Sequence, residues 1–177
     1  LESLYSGGIT GTGSGHCGSR HFADRYTEQC EAHINEITGR RHTFLTTSGT
    51  ASIQLMLMAA GVAPGDEVIC TNYSCPATVM PIRLLGATPV FVDLDRHGQQ
   101  DLAQVAARVT ERTRAVMVTD LYGDCCDYDQ LQAIQVPVLN DSAQSLMTLY
   151  RGQQTAAIGD MSIQSFSTNK NCPIFGT

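Results

Sequence analysis

Apolar positions along the chain repeat in two ways. Phe22, Tyr26, Cys30, Ile34 and Ile37 fall at steps of four and three, which puts one apolar stripe on a helix. Gly39 then offers a C-terminal stop. Downstream, short apolar runs alternate with helical spacings. His42 to Thr46 reads as a short strand. Ala51 to Ala60 is apolar nearly all round and reads as a buried helix. After a turn at Pro64-Gly65-Asp66, Glu67 to Thr71 reads as a strand and Thr78 to Leu85 as a helix. Gly86 to Thr88 turns the chain into a strand over Pro89 to Val92. Leu102, Val105, Ala106 and Val109 have helical spacing. Ala115 to Thr119 reads as a strand, Tyr128 to Ile134 as a helix, Val136 to Leu139 as a strand, and Met161 to Phe166 as the last strand.

Strands that are continuous apolar runs, alternating with helices, indicate an α/β fold. The expected architecture has three layers, a mostly parallel sheet with helices on both faces. Such folds bind ligands beyond the carboxyl ends of the strands. Leu1 to Ser19, rich in Gly, Ser and Thr, reads as an irregular arm.

Composition narrows the function. A net charge of −6 without a basic run argues against nucleic-acid binding. No apolar stretch is long enough to span a bilayer, and the start lacks a basic region followed by an apolar block. The seven cysteines are irregularly spaced, with no C-x-x-C, so neither a zinc site nor a redox motif is indicated. Adjacent Cys125 and Cys126 read as reduced thiols rather than a vicinal disulfide, which fits a cytoplasmic protein. The five histidines show no metal spacing. Gly13-Ser14-Gly15-His16-Cys17-Gly18 matches G-x-G-x-x-G but has no apolar strand before it, as the dinucleotide fingerprint requires.

Three strand ends carry candidate chemistry. Ser48-Gly49-Thr50-Ala51 opens a helix with small residues, where backbone N–H groups and the helix dipole favour an anion; an ordinary N-cap is the plainer reading. Asp141 follows an apolar strand, where an unpaired carboxylate is costly, and helix capping competes as its explanation. Lys170 follows the last strand among small polar residues, and could be a Schiff-base former or a solvated surface lysine. Together they supply what pyridoxal phosphate (PLP) requires: an anion cradle, a carboxylate for the pyridinium nitrogen, and a lysine for the aldehyde.

In order and spacing these segments resemble the DegT/DnrJ/EryC1/StrS sugar aminotransferases, from about Gly8 onward. The resemblance is carried by Thr47-Ser48-Gly49-Thr50-Ala51-Ser52, Pro64-Gly65-Asp66-Glu67-Val68-Ile69 and Gly86-Ala87-Thr88-Pro89-Val90-Phe91-Val92-Asp93. It continues through Leu121-Tyr122-Gly123, Asp141-Ser142-Ala143-Gln144, and Ser165-Phe166 with Lys170 and Asn171. It implies part of the large domain of the type I PLP fold over residues 20–177, with residues 1–19 as an arm near the substrate and the small C-terminal domain absent. Lys170 would be the catalytic lysine, Asp141 the pyridinium partner, and Gln144 a neighbour of the ring. Gly49, Thr50, Ala51 and Ser165 would bind the phosphate. The implied reaction moves an amino group from glutamate or glutamine to a keto-sugar, often nucleotide-linked, in a homodimer. Two departures stand out. Cys75 occupies the place where relatives carry an aromatic residue stacked on the ring, and the chain stops soon after the lysine, so by itself it is expected to be poorly active. Dehydratase relatives carry histidine in the lysine's place, so Lys170 argues against that alternative. The missing aromatic leaves a non-catalytic, regulatory or binding relative as the other.

Overall fold

The computed structural model describes residues 20–132 and 134–172, with side chains from residue 26 onward. The arm and the G-x-G-x-x-G segment lie outside the described residues. The elements are α1 (Arg20–Thr38), α2 (Gly49–Ala59), β1 (Glu67–Thr71), α3 (Pro76–Leu84), β2 (Thr88–Val92), α4 (Leu102–Arg108) and β3 (Thr113–Thr119). A 3-10 turn (Tyr128–Leu131) precedes β4 (Val138–Asp141). A hairpin of β5 (Leu149–Tyr150) and β6 (Gln153–Gln154), a second 3-10 turn (Thr155–Ala157) and β7 (Met161–Ile163) follow.

The main sheet has five strands in the order β2-β1-β3-β4-β7, all parallel. Alternate side chains of each strand enter opposite cores. Val68, Cys70, Ala115, Met117, Leu139 and Ile163 pack with Ile53, Leu57 and Ile82 of α2 and α3. On the other face, Ile69, Val116, Val118 and Val138 meet Leu102 and Val105 of α4, with Tyr128 and Leu131. Both faces are covered, which is why the central strands are apolar without alternation. Gly159 admits the chain into β7: at φ 75° with Val138 O 2.7 Å from where a Cβ would stand, no other residue fits without a shift.

Three expectations change. Residues 42–46 form no strand: Phe44 and Leu45 are exposed at consecutive positions, and the Leu45 N–H is taken by Glu31 Oε1 at 2.9 Å instead of a ladder. Helix α2 is not buried all round, since Leu55 and Met58 are more than half exposed. The segment from Tyr128 makes only one 3-10 turn, ending at Leu131 well short of Ile134. Helix α1 forms where the apolar stripe places it, and the stripe leaves Tyr26 and Ile37 exposed. The stop at Gly39 holds, with φ 74° and its N–H on Asn35 O at 2.8 Å. Strand β1 lies where expected, and β2, β3, β4 and β7 lie at the expected places with shifted ends, so that Asp141 is the last residue of β4 rather than a residue just beyond it.

Candidate functional site at the carboxyl ends of the strands

Asp141 ends a strand between two others and is only 4% exposed. Its Oδ2 accepts the Thr78 hydroxyl at 2.7 Å, and its Oδ1 accepts the Ala143 N–H at 3.1 Å. Thr78 sits in the first turn of α3 and is itself steadied by the Ser74 hydroxyl at 2.8 Å. Burial pushes the Asp141 carboxyl above its ordinary range; the two hydrogen bonds and, last, the positive charge of Lys170 pull it back only in part. A buried carboxylate with two neutral donors and one distant cation is short of positive charge.

Lys170 reaches this edge from the segment after β7. It is half-buried, and its N–H is held on Ser167 O at 2.9 Å. Lys170, Gln144, Tyr122, Asn169 and Asn171 line a pocket of about 450 Å³. Gln144 Oε1 accepts the Tyr122 N–H at 3.3 Å, and the Tyr122 hydroxyl meets that of Tyr73 at 2.9 Å. Tyr122 holds a left-handed backbone, φ 58°.

The N-terminus of α2 opens toward the same edge. Ser48 caps it through Ala51 N–H at 3.2 Å. The N–H groups of Gly49 and Thr50 have no acceptor among the described residues, and the first turn holds no acidic side chain. A Cβ on Gly49 would stand 3.7 Å from both Cβ and Oγ of Ser165, so the bare glycine keeps open the space between the helix end and that hydroxyl.

Gln144 and Lys170 therefore share one pocket, Asp141 is coupled to Lys170 by charge, and Gly49 faces Ser165. Cys75 is different. It caps α3 with its backbone alone, and its side chain is exposed. Cys125 and Cys126 are free thiols, and burial raises both, Cys125 to about 11. Among the described residues no group of acidic, histidine and cysteine side chains could hold a metal ion, and no helix is long and apolar enough to cross a membrane. Tyr122, Asn169 and Asn171 were not singled out from sequence. Tyr122 was visible only as part of a motif, and the asparagines only as neighbours of the lysine.

A parallel sheet covered on both faces, with an anion-ready helix end, a buried carboxylate and a lysine at its carboxyl edge, defines an α/β protein with a ligand site at its strand ends. The chain belongs to the DegT/DnrJ/EryC1/StrS aminotransferase family, which it matches over residues 19–176. It is 35% identical over 153 residues to the UDP-2-acetamido-2-deoxy-3-oxo-D-glucuronate aminotransferase of Pseudomonas aeruginosa, covering 84% of this chain and 43% of that protein. It is 37% identical over 163 residues to the pleiotropic regulatory protein of Geobacillus stearothermophilus, covering 89% of this chain and 44% of that one. Its fold superposes on Spr1654 of Streptococcus pneumoniae, solved in a PLP form, with TM-score 0.79 and 29% identity over 97% of this chain and 46% of that chain. The chain thus spans less than half the length of the curated relatives it matches.

Proposed function

We propose that this chain is the cofactor-carrying part of a PLP-dependent aminotransferase acting on a nucleotide-linked keto-sugar, with glutamate or glutamine as amino donor. The observation that carries the reading is Asp141. A carboxylate this buried, raised by burial and answered by too little positive charge, is suited to a ligand that brings a cation to it. The protonated pyridine nitrogen of PLP is such a cation, and the uncompensated α2 amides beside Ser165 are suited to its phosphate. When bound, PLP supplies an electron sink for the carbon that loses its proton. Asp141 would keep the ring nitrogen protonated. Thr78 and the Ala143 N–H would hold that carboxylate in place. Gln144 would lie against the ring, and the Lys170 amine would attach the cofactor and move the proton. Cys75 stands at the ring face in this reading, where it packs more weakly than an aromatic side chain. The Pseudomonas relative's name supports the keto-sugar substrate. A cytoplasmic homodimer is the proposed form of the whole protein.

The test is PLP absorbance before and after borohydride reduction, with Lys170→Ala alongside. A visible band that reduction fixes as a covalent adduct on Lys170, absent from the variant, is the expected result. PLP bound without any adduct on Lys170 would defeat the assignment. The second reading, a regulatory or binding protein on the same scaffold, is favoured by the Geobacillus relative and by exposed Cys75. Amino transfer to a keto-sugar by the whole protein eliminates it.

A further inference from the structure

Asp120, the residue immediately after β3, takes no part in the site described above, yet it is wholly buried. It continues the face of Val116 and Val118, opposite to that of Asp141. Its Oδ2 accepts the Tyr128 hydroxyl at 2.6 Å, the Asn140 amide at 3.3 Å and the Ser145 hydroxyl at 3.5 Å, while Oδ1 accepts the Cys126 N–H at 3.2 Å. The Asn140 amide also reaches Thr155 O at 3.0 Å. One carboxylate thus joins the loop after β3 to the loop after β4, and both to the turn before β7. Those two loops carry Tyr122 and Gln144 to the pocket.

A neutral side chain could close hydrogen bonds here more cheaply. Gln99 does so at the next residue, donating to Leu121 O at 3.2 Å and accepting from Leu121 N–H at 3.1 Å. Burial pushes the Asp120 carboxyl upward, against the pull of its donors. A costly buried charge is retained where its stronger, multiple hydrogen bonds fix a geometry. The geometry in question is visible in Tyr122, whose left-handed backbone persists only if its surroundings hold it.

We propose that Asp120 is a positioning residue: its carboxylate clamps the loops after β3 and β4, and so fixes the Tyr122–Gln144 wall facing Lys170. The consequence for cofactor binding rests on the PLP reading; the clamp itself does not. Hydrogen exchange on the chain, on Asp120→Asn and on Val62→Ala (a variant of reduced stability in the core on the opposite face of the sheet) separates the two. In Asp120→Asn, residues 121–127 and 142–148 should exchange about tenfold faster while β1 and β2 keep their protection, and PLP affinity should fall about tenfold. Val62→Ala should lose stability without that localised pattern or that loss of affinity. Uniformly faster exchange in Asp120→Asn, or loosened loops with PLP affinity unchanged, would overturn the proposal. If the unsubstituted chain binds no PLP, the cofactor reading fails, and the exchange pattern alone decides the clamp. Should Asp120→Asn not fold, Tyr128→Phe, which removes the shortest donor and leaves the carboxylate, should show the same localised pattern to a smaller degree; its absence would count equally against the clamp.

Discussion

Asp141 sets a conflict at the scale of one residue. Its folded-state carboxyl is raised by burial above the value near 3.9 expected of an unfolded aspartate. Well below pH 4 the group is protonated in both states and costs nothing. As pH rises from the unfolded value toward the raised one, the folded state holds a proton that the unfolded one has lost, so stability falls. Asp141→Asn has no such proton to lose. Its stability relative to the parent chain should therefore improve from pH 4 to pH 7, as urea unfolding at the two values will read. The same variant should lose PLP affinity about tenfold or more, since a charge-assisted bond is worth about 1.5–3 kcal/mol. A stability difference that stays flat with pH would mean that Asp141 titrates alike in both states. This residue was legible in the sequence because a carboxylate closing an apolar strand is costly on its face. Asp120 closes another apolar strand and satisfies the same rule, yet its burial depends on Tyr128, Asn140 and Ser145, which only the folded chain brings to it.

Among the elements, the legible ones carry their pattern in local order. The strands β1 and β3 carry continuous apolar runs and β4 opens on Val138-Leu139, and all three pair in parallel. Residues 42–46 have strand composition but pair with no strand among the described residues; pairing is a property of neighbours, and here Glu31 of α1 takes the Leu45 N–H. The nearly all-round apolar sequence of α2 similarly concealed which of its sides meets the sheet. Its N-terminus makes a sharper prediction. Gly49→Ala adds helix propensity of up to about 1 kcal/mol, and the new Cβ meets Ser165 at an ordinary contact distance of 3.7 Å. The melting temperature should hold or rise. The added methyl nevertheless occupies the gap between the helix amides and the Ser165 hydroxyl, so PLP affinity should fall about tenfold. Calorimetry and PLP titration of one preparation check both halves. Unchanged affinity would place the phosphate elsewhere.

Across the whole molecule, the described surface has two ways to self-associate, and the structure favours one. The sheet edges are poor templates: β2 carries Pro89, which cannot donate to a new ladder, and β7 is three residues long. The helix surfaces are less protected. Helix α2 turns Leu55 and Met58 outward and α3 turns Met80 and Leu84 outward, each more than half exposed, on helices that pack against each other. Exposed apolar side chains grouped in this way drive association. The 19.1 kDa chain should therefore gain mass with concentration in light scattering. Leu55→Lys with Met58→Lys should return it toward the monomer without lowering stability, because neither side chain is buried in the core. A charge introduced on the β2 edge at Phe91 should leave association unchanged. If the Phe91 variant dissolves the assemblies and the helix variant does not, the edge strand is the adhesive element and Pro89 an insufficient guard.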